Sequence, residues 1–413
     1  MALQKDRNPR RIAVVGAGTS GYLTVLYYCT KYPAYDIEWI YPQDNITIGV
    51  GEGTVPDVLD FFSDMGITME DIINKVGGSL KLGVKFEGFY NQDYFHPFGK
   101  TDEDAASLEY VMSNNKIPDN ITSYNDIAAH FSVSSLTKFL DNWFTRFGNL
   151  TITRKTVTDK NEVNCDVFID CTGFKRSFVN EFYTDNTKEV TLPNNAALVY
   201  RMPIQEQYRF AYTTCKAMQY GWSWNIPLKE EIGIGYVHND KFDVLSEFVD
   251  YISKNFNPNI TEQDIRKVKM ITGRNINHYK EIDNTIYASI GLSSAFIEPM
   301  EATGLYLTVF GIKELDRYIH GKISGEEFND LVNNEFDTIV DFIVAHYKFS
   351  HKQNDYWNTY KKIDIETYRE NNIFPKRSWN YILQENLPEL SVERMLKLRH
   401  GKKYSEWLNA KYA

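Results

Sequence analysis

The segment from Ser289 to Gly304 places two acids and a Thr-Gly pair after an apolar run and a glycine. The acids are Glu298 and Glu301, and the pair is Thr303-Gly304. A turn that exposes backbone N–H groups can hold an anion, and a carboxylate beside it can act as a general base. The same pattern is typical of a helix start whose acids complement the helix dipole. The residues alone leave both interpretations open.

A second candidate for chemistry is Lys81, in a stretch where apolar residues alternate with lysine and glycine. Alternation from Leu80 to Phe86 predicts one strand, with Lys81 and Lys85 on the same face. A lysine on an exposed strand face usually keeps its charged tip in water. If Lys81 instead points into a cavity, desolvation would lower its pKa and make the amine tunable.

The N-terminal segment contains six residues with the spacing of a dinucleotide-binding turn, Gly16-Ala17-Gly18-Thr19-Ser20-Gly21. In such a turn the first glycine permits the bend, the second admits a pyrophosphate, and the third lets the helix pack closely. An apolar run precedes it, and the next helix would offer free N–H groups to phosphates. The pattern predicts dinucleotide binding but does not choose FAD over NAD, and a glycine turn without a ligand is the alternative.

Two further segments combine unusual residue types. Gly49–Pro56 has three glycines in five positions and a proline that can open a helix, although a plain loop has the same features. Trp222–Pro227 places two tryptophans on one side of an extended segment, which also suits an aromatic ladder in a core. Neither segment assigns a function by itself.

The elements that must position these residues begin with a strand-helix-strand unit. Strands are predicted at Ile12–Val15, Asp36–Tyr41, Ile232–Val237 and Thr285–Ile290, with a helix at Tyr22–Tyr28. Asp166–Gly173 is predicted as an apolar strand that ends in a turn of small residues. After Gly304 the periodicity predicts helices at Leu305–His320, Gly325–Phe349 and Ser391–Ala413. The sequence therefore predicts an α/β body over residues 1–304 with a helical region, 305–413, packed on it.

Composition excludes several classes of protein. The net charge is −10 and no basic stripe is present, so we expect no nucleic-acid partner. Neither a signal peptide nor an apolar run of membrane-spanning length is found, so we expect a cytoplasmic protein with no membrane partner. Scattered histidines predict no metal site. The spacing of the cysteines indicates neither a zinc site nor a disulfide framework. These are Cys29, Cys165, Cys171 and Cys215.

Taken in chain order, these segments resemble the flavin-dependent halogenases of the tryptophan-halogenase type. Gly49–Pro56 is similar to that family's strap, and Trp222–Pro227 matches its Trp-x-Trp-x-Ile-Pro signature. Asp166–Gly173 and Ser289–Gly304 match as well. The resemblance implies an FAD-binding Rossmann-like fold of the GR2 type, with an inserted substrate-side β-sheet and a C-terminal helical part.

The resemblance also implies roles for individual residues. Lys81 and Glu301 fall on the catalytic positions, Thr303 and Gly304 on the halide site, and His96 and Phe98 near the aromatic substrate. The positions implied for FAD are Gly16, Ala17, Gly18, Thr19, Ser20, Gly21, Val50, Glu52, Gly53, Leu292 and Leu305.

Some positions depart from the family pattern. Tyr41 stands where the family has a ribose-binding acid, which predicts loosely held FAD, and Gly53 replaces Ala or Ser in the strap. Ala302 replaces a common Ser. The C-terminal part that closes over tryptophan looks shortened, which points away from free tryptophan as the substrate.

The chemistry implied by the resemblance uses reduced FAD, O2 and a halide ion, which is chloride, bromide or iodide. A separate flavin reductase supplies the flavin, its hydroperoxide reacts with halide, and hypohalous acid is relayed to Lys81. Lys81 holds it by a hydrogen bond or forms a haloamine, and an electron-rich phenol or indole-like ring is halogenated. We expect a homo-oligomer. The alternatives are a flavin-dependent aromatic monooxygenase and a non-catalytic flavoprotein.

Overall fold

The computed structural model describes residues 9–43, 52–98, 127–178, 187–188 and 192–383. The glycine turn follows the C-terminal end of an interior strand in a mostly parallel, six-stranded sheet. In spatial order the strands are β17 (Tyr279–Ile282), β18 (Thr285–Ser289), β9 (Val167–Asp170), β1 (Arg11–Val15), β2 (Asp36–Tyr41) and β8 (Leu150–Arg154). Only β17 runs antiparallel to its neighbour. β1 is almost wholly buried because it lies between two other strands with helices on the sheet faces.

A second sheet has seven strands, and it is antiparallel except for one parallel pair, Thr213–Ala217 with Gly83–Glu87. Its strands are β15 (Arg266–Lys269), β11 (Ala196–Pro203), β14 (Glu231–His238), β13 (Gly221–Pro227), β12 (Thr213–Ala217), β5 (Gly83–Glu87) and β6 (Tyr94–Pro97). This sheet contains the tryptophan segment in its interior and one histidine of the predicted substrate pocket near its edge.

Two three-stranded sheets complete the β structure. The first is β3 (Glu52–Gly53), β7 (Ala128–Phe131) and β4 (Ser79–Lys81); the second is β10 (Thr187–Lys188), β16 (Gly273–Asn275) and β19 (Ala295–Phe296). The first sheet matters most for function, because it joins the strap residues to Lys81 through β7.

Eight α-helices and a short π-helix at Asp71–Lys75 lie within the described ranges. The α-helices are α1 (Thr19–Lys31), α2 (Pro56–Asp64), α3 (Val133–Phe144), α4 (Leu245–Asn255), α5 (Thr303–Ile319), α6 (Gly325–Lys348), α7 (Asp355–Lys361) and α8 (Lys376–Leu383). α6 begins where the Ser324 hydroxyl accepts the N–H of Glu327, as an N-cap serine does. None of these helices is long and apolar enough to cross a membrane.

The predicted α/β fold is confirmed, and the strands and helices predicted within the described residues are present, with the exception of the strand from Leu80 to Phe86. The predicted helix at Ser391–Ala413 and the predicted site residue Val50 lie outside the described residues. The boundary at residue 304 stays a prediction.

The prediction of one continuous strand from Leu80 to Phe86 is wrong. The chain changes sheets at Leu82, whose N–H donates to the carbonyl of Ala211 at 2.7 Å, so β4 and β5 belong to different sheets. Lys81 is consequently fully buried, whereas Lys85 pairs with Glu87 at a partly exposed position. The solvated interpretation of Lys81 is therefore wrong as well.

Candidate active site

The glycine turn between β1 and α1 leaves room for a ligand at one glycine only. A β-carbon on Gly16, whose φ is +112°, would lie 2.3 Å from the carbonyl oxygen of Cys171, and one on Gly21 would lie 2.1 Å from the oxygen of Gly16. A β-carbon on Gly18 would meet nothing within 4 Å. α1 has neither a capping side chain nor an acid in its first turn, so its N–H groups face this space. The turn fits a dinucleotide pyrophosphate.

The turn that contains Leu292 lies directly against the glycine turn. Gly291 has φ +69°, and a β-carbon there would lie 2.4 Å from Cβ of Ser20 and 3.5 Å from the hydroxyl of Thr308 on α5. Leu305, in the first turn of α5, is buried. Three of the segments predicted to bind FAD therefore meet in space, although they are distant in the sequence.

The predicted FAD site has two further positions of interest, the departure at Tyr41 and the predicted contact Glu52. Tyr41 ends β2 where a carboxylate was expected from the family pattern, and the guanidinium of Arg154 lies 4.0 Å from the centre of its ring. Glu52, in β3, has its pKa raised to about 7 by burial, against the opposing charge of Arg201. Proton uptake by Glu52 in the neutral range would change the charge of the strap.

The start of α5 is strained and uncapped. Glu301 and Ala302 have φ values of 62° and 59°, a left-handed conformation that costs about 1–3 kcal/mol per non-glycine residue. Ala302 offers no side-chain cap, and the buried hydroxyl of Thr303 has no hydrogen-bond partner among the described residues. A β-carbon on Gly304 would meet nothing within 4 Å. Uncapped N–H groups and an unpartnered hydroxyl thus lie beside the open space at Gly304, where an anion such as halide could bind.

Lys81 is held on β4 by groups that favour its charged form. Its Nζ donates to the carbonyl oxygen of Thr54 at 2.9 Å and lies 5.0 Å from the ring centre of Phe98. Burial lowers the pKa of Lys81 to about 8, and the charge of Glu301 opposes that shift. At neutral pH the side chain is mainly an ammonium that can become an amine in a mildly basic solution.

Gly53 lies between Lys81 and the start of α5. A β-carbon on Gly53 would be 3.4 Å from Nζ of Lys81, 3.4 Å from Cβ of Ala302 and 3.5 Å from the ring of His130. His130 is buried, its Nε2 lies 2.8 Å from the hydroxyl of Thr213, and burial lowers its pKa well below the usual value. Gly53 therefore leaves a gap of about one methyl group beside the lysine.

The carboxylate of Glu301 contacts two buried imidazoles through one oxygen. Its Oε1 lies 2.8 Å from Nδ1 of His96 and 3.2 Å from Nε2 of His346, whereas Oε2 has no hydrogen-bond partner among the described residues. The far nitrogen of His96 lies 2.8 Å from the hydroxyl of Ser378. Burial opposes ionisation, but the charge of His96 and hydrogen bonding by both histidines lower the pKa of Glu301 to about 2.

Glu298 connects the α5 segment to the tryptophan strand. Its carboxyl group accepts from Nδ2 of Asn194 at 2.8 Å and from the hydroxyl of Tyr347, and the indole of Trp222 lies beside it. Burial raises the pKa of Glu298 to about 7. The interpretation of both acids as helix-dipole residues is therefore wrong, because neither carboxylate lies in the first turn of α5.

Sequence reasoning missed His346, Tyr94 and His130. The scattered histidines predict no metal site, yet His346 follows the apolar run Phe342–Ala345 on a buried helix face. A histidine in an apolar run is the signal that could have found it, since buried polar groups need partners. Within the described ranges, no group of three or more His, Cys, Asp or Glu residues is arranged to hold a metal ion.

Comparison with known proteins matches this geometry to one family. The sequence profile of the tryptophan halogenase family matches residues 11–140 and 145–387. The tryptophan 6-halogenase SttH of Streptomyces toxytricini is 25% identical over 86% of this chain and 81% of its own length. The tryptophan 7-halogenase RebH of Lentzea aerocolonigenes is 24% identical over 86% of this chain and 79% of its own length.

Solved structures share the fold. Xcc4156, a flavin-dependent halogenase from Xanthomonas campestris, superposes with a TM-score of 0.78 at 19% identity, covering 98% of this chain and 96% of its own. The site and fold define an FAD-binding α/β enzyme with C-terminal helices. The chain belongs to the tryptophan halogenase family, which makes it a flavin-dependent halogenase that uses reduced FAD and O2.

Proposed function

We propose that this enzyme halogenates an electron-rich phenol or indole-like ring, with Lys81 and Glu301 as its catalytic residues. The observation that carries the proposal is the position of Gly53, whose β-carbon would touch both Nζ of Lys81 and the residue next to Glu301. The buried amine of Lys81 thus borders the same gap as Ala302, the residue that follows Glu301, and the charge of Glu301 acts on Lys81.

FAD would be held by the glycine turn, the Gly291–Ser293 turn and the start of α5. When bound in its reduced form, it supplies with O2 the oxidising power that converts halide to hypohalous acid. The free N–H groups and the Thr303 hydroxyl at the start of α5 would bind the halide. A separate flavin reductase would deliver the flavin, and the missing acid at Tyr41 supports a weakly held, exchangeable cofactor.

Lys81 would hold hypohalous acid beside the substrate. Its ammonium donates a hydrogen bond to the hydroxyl oxygen, so that this oxygen leaves as water when the ring attacks the halogen. The contacts with Thr54 and Phe98 keep the ammonium in place and restrict its rotation. Phe98 and His96 also lie where an aromatic ring could pack.

Glu301 would take the proton that the ring loses. The free oxygen, Oε2, is the acceptor, and a pKa of about 2 keeps it ionised at neutral pH. The proton then returns to the amine of Lys81, which restores both groups. For each turnover the ring exchanges one hydrogen for halogen, and hypohalous acid becomes water.

Mass spectrometry of phenol and indole panels tests this proposal. The enzyme is incubated with FAD, a flavin reductase and each halide in turn, and the panels are repeated without halide. Products carrying one halogen in place of hydrogen are expected only when halide is present. Hydroxylated products independent of halide would instead indicate an aromatic monooxygenase, and the absence of any product would contradict the assigned substrate class.

A further inference from the structure

The carboxylate of Glu301 is fixed by a histidine from outside the strap and the α5 start. We propose that His346, on α6, is a positioning residue that holds Oε1 of Glu301 so that Oε2 stays free for the ring proton. This inference rests on the proposed function of Glu301 and names a residue that acts through it. Nε2 of His346 lies 3.2 Å from Oε1, and the approach is bent rather than linear.

The hydrogen-bond partners of His346 determine which nitrogen carries its proton. Nδ1 lies 2.7 Å from the hydroxyl of Tyr94, and burial keeps that phenol protonated by raising its pKa well above the usual value. Tyr94 therefore donates to Nδ1, and the proton of neutral His346 lies on Nε2, the nitrogen that makes the bent 3.2 Å contact with Oε1 of Glu301. The opposite tautomer would place a lone pair against a carboxylate.

The plane of the imidazole is fixed as well. The ring of Phe86 stacks on His346 with centres 4.3 Å apart, and Phe342 contacts it edge-on at 5.3 Å. His346 is fully buried on a helix face, so its ring cannot swing to water. Because burial lowers the pKa of His346, it acts as a neutral donor rather than as a cation.

Other titratable groups also face Glu301, from three strands. His96 on β6 contacts the same oxygen, Lys81 on β4 attracts the carboxylate, and Tyr94 and Cys215 stay protonated near it. His96 lies in the predicted substrate pocket, so a substitution of His96 would alter both substrate binding and the ionisation of Glu301. His346 is attached to a different element, which separates positioning from substrate contact.

The amide variants His346→Gln and His346→Asn form a matched pair for the test. The amide nitrogen of Gln can occupy the place of Nε2 and still donate to Glu301, whereas the shorter Asn can only reach Tyr94. We expect His346→Asn to lower kcat roughly 10–100-fold with little change in KM, as when a hydrogen bond to a charged group is lost. His346→Gln should recover most of kcat. His278→Asn is the control, because His278 is equally buried but bonds to Ser294 and Asn333.

An infrared titration of the resting enzyme provides a readout that needs no turnover. The band that disappears in Glu301→Gln is assigned to the carboxylate of Glu301. In His346→Asn this carboxylate should take up its proton at a pH about one unit or more higher than in wild type or in His346→Gln. If neither histidine variant folds, Tyr94→Phe provides a second test, because it removes the hydroxyl that keeps the proton of His346 on Nε2. The protonation of Glu301 should then shift to higher pH as well.

The two proposals fail in different ways. The role of His346 would be overturned if the wild-type enzyme halogenates and the three variants have the same kcat and the same Glu301 titration. These variants are His346→Asn, His346→Gln and His278→Asn. If the Glu301 titration shifts in His346→Asn but the enzyme halogenates no panel compound, the contact between His346 and Glu301 is supported. The proposed function would then be overturned. Loss of kcat with a parallel rise in KM would indicate substrate contact rather than positioning.

Discussion

A β-carbon placed on Gly53 would lie 3.4 Å from the ammonium nitrogen of Lys81. The strap pattern that Gly49–Pro56 resembles has Ala or Ser at this position, and Gly53 leaves that space unfilled. The gap also borders Ala302, another position where the family pattern has a larger residue.

The first prediction concerns this gap. Gly53→Ala should lower the share of brominated over chlorinated product by roughly 2–10-fold, because a filled gap disfavours the larger halogen beside Lys81. The measurement is product ratio by mass spectrometry with equimolar bromide and chloride. Gly148→Ala is the control, since a β-carbon there meets nothing within 4 Å and the residue lies away from the site. An unchanged ratio in Gly53→Ala would show that the gap does not select the halide.

The second prediction separates cofactor binding from folding within one turn. Gly18→Ala should weaken FAD binding roughly tenfold, about 1.4 kcal/mol, with an unchanged melting temperature of the apoprotein, because the new β-carbon enters the pyrophosphate space. Gly16→Ala should lower the apoprotein's melting temperature, since its β-carbon would lie 2.3 Å from the Cys171 carbonyl oxygen. FAD titration and thermal melts check both. Equal FAD affinity of Gly18→Ala and wild type would contradict the assigned phosphate site.

The third prediction concerns pH. Since the pKa of Lys81 is lowered to about 8, raising the pH through 8 removes the proton that the leaving oxygen needs, and kcat should fall. Glu301, with its pKa lowered to about 2, stays ionised and should produce no acid limb near neutrality. A pH profile of kcat measures this. Lys81→Arg keeps its charge at all these pH values and should lose the basic limb, at a lower kcat. A wild-type rate that rises through pH 8 would favour attack by the amine and a haloamine.

The local part of the fold could be predicted from the sequence, and the contacts between distant segments could not. The glycine turn was predicted because strand, turn and helix are consecutive, so Gly16, Gly18 and Gly21 have their roles within one unit. Lys81 was assigned by resemblance, but its burial depends on a change of sheet at Leu82 that alternation does not reveal. His346 lies far from Glu301 in the chain, and only the packing of α6 against β6 and α5 brings their side chains together.

The central claim is that Lys81 holds hypohalous acid for attack by the ring and takes no part in forming it. The most direct test compares wild type, Lys81→Ala and Lys85→Ala for two products, the halogenated ring and hypohalous acid captured by an added trap. Lys85 is the matched control because it lies four residues away and pairs with Glu87 outside the site. We predict that Lys81→Ala loses ring halogenation by ~10²–10⁴-fold while it still forms trapped hypohalous acid, and that Lys85→Ala resembles wild type. Ring halogenation by Lys81→Ala at the wild-type rate would contradict the account.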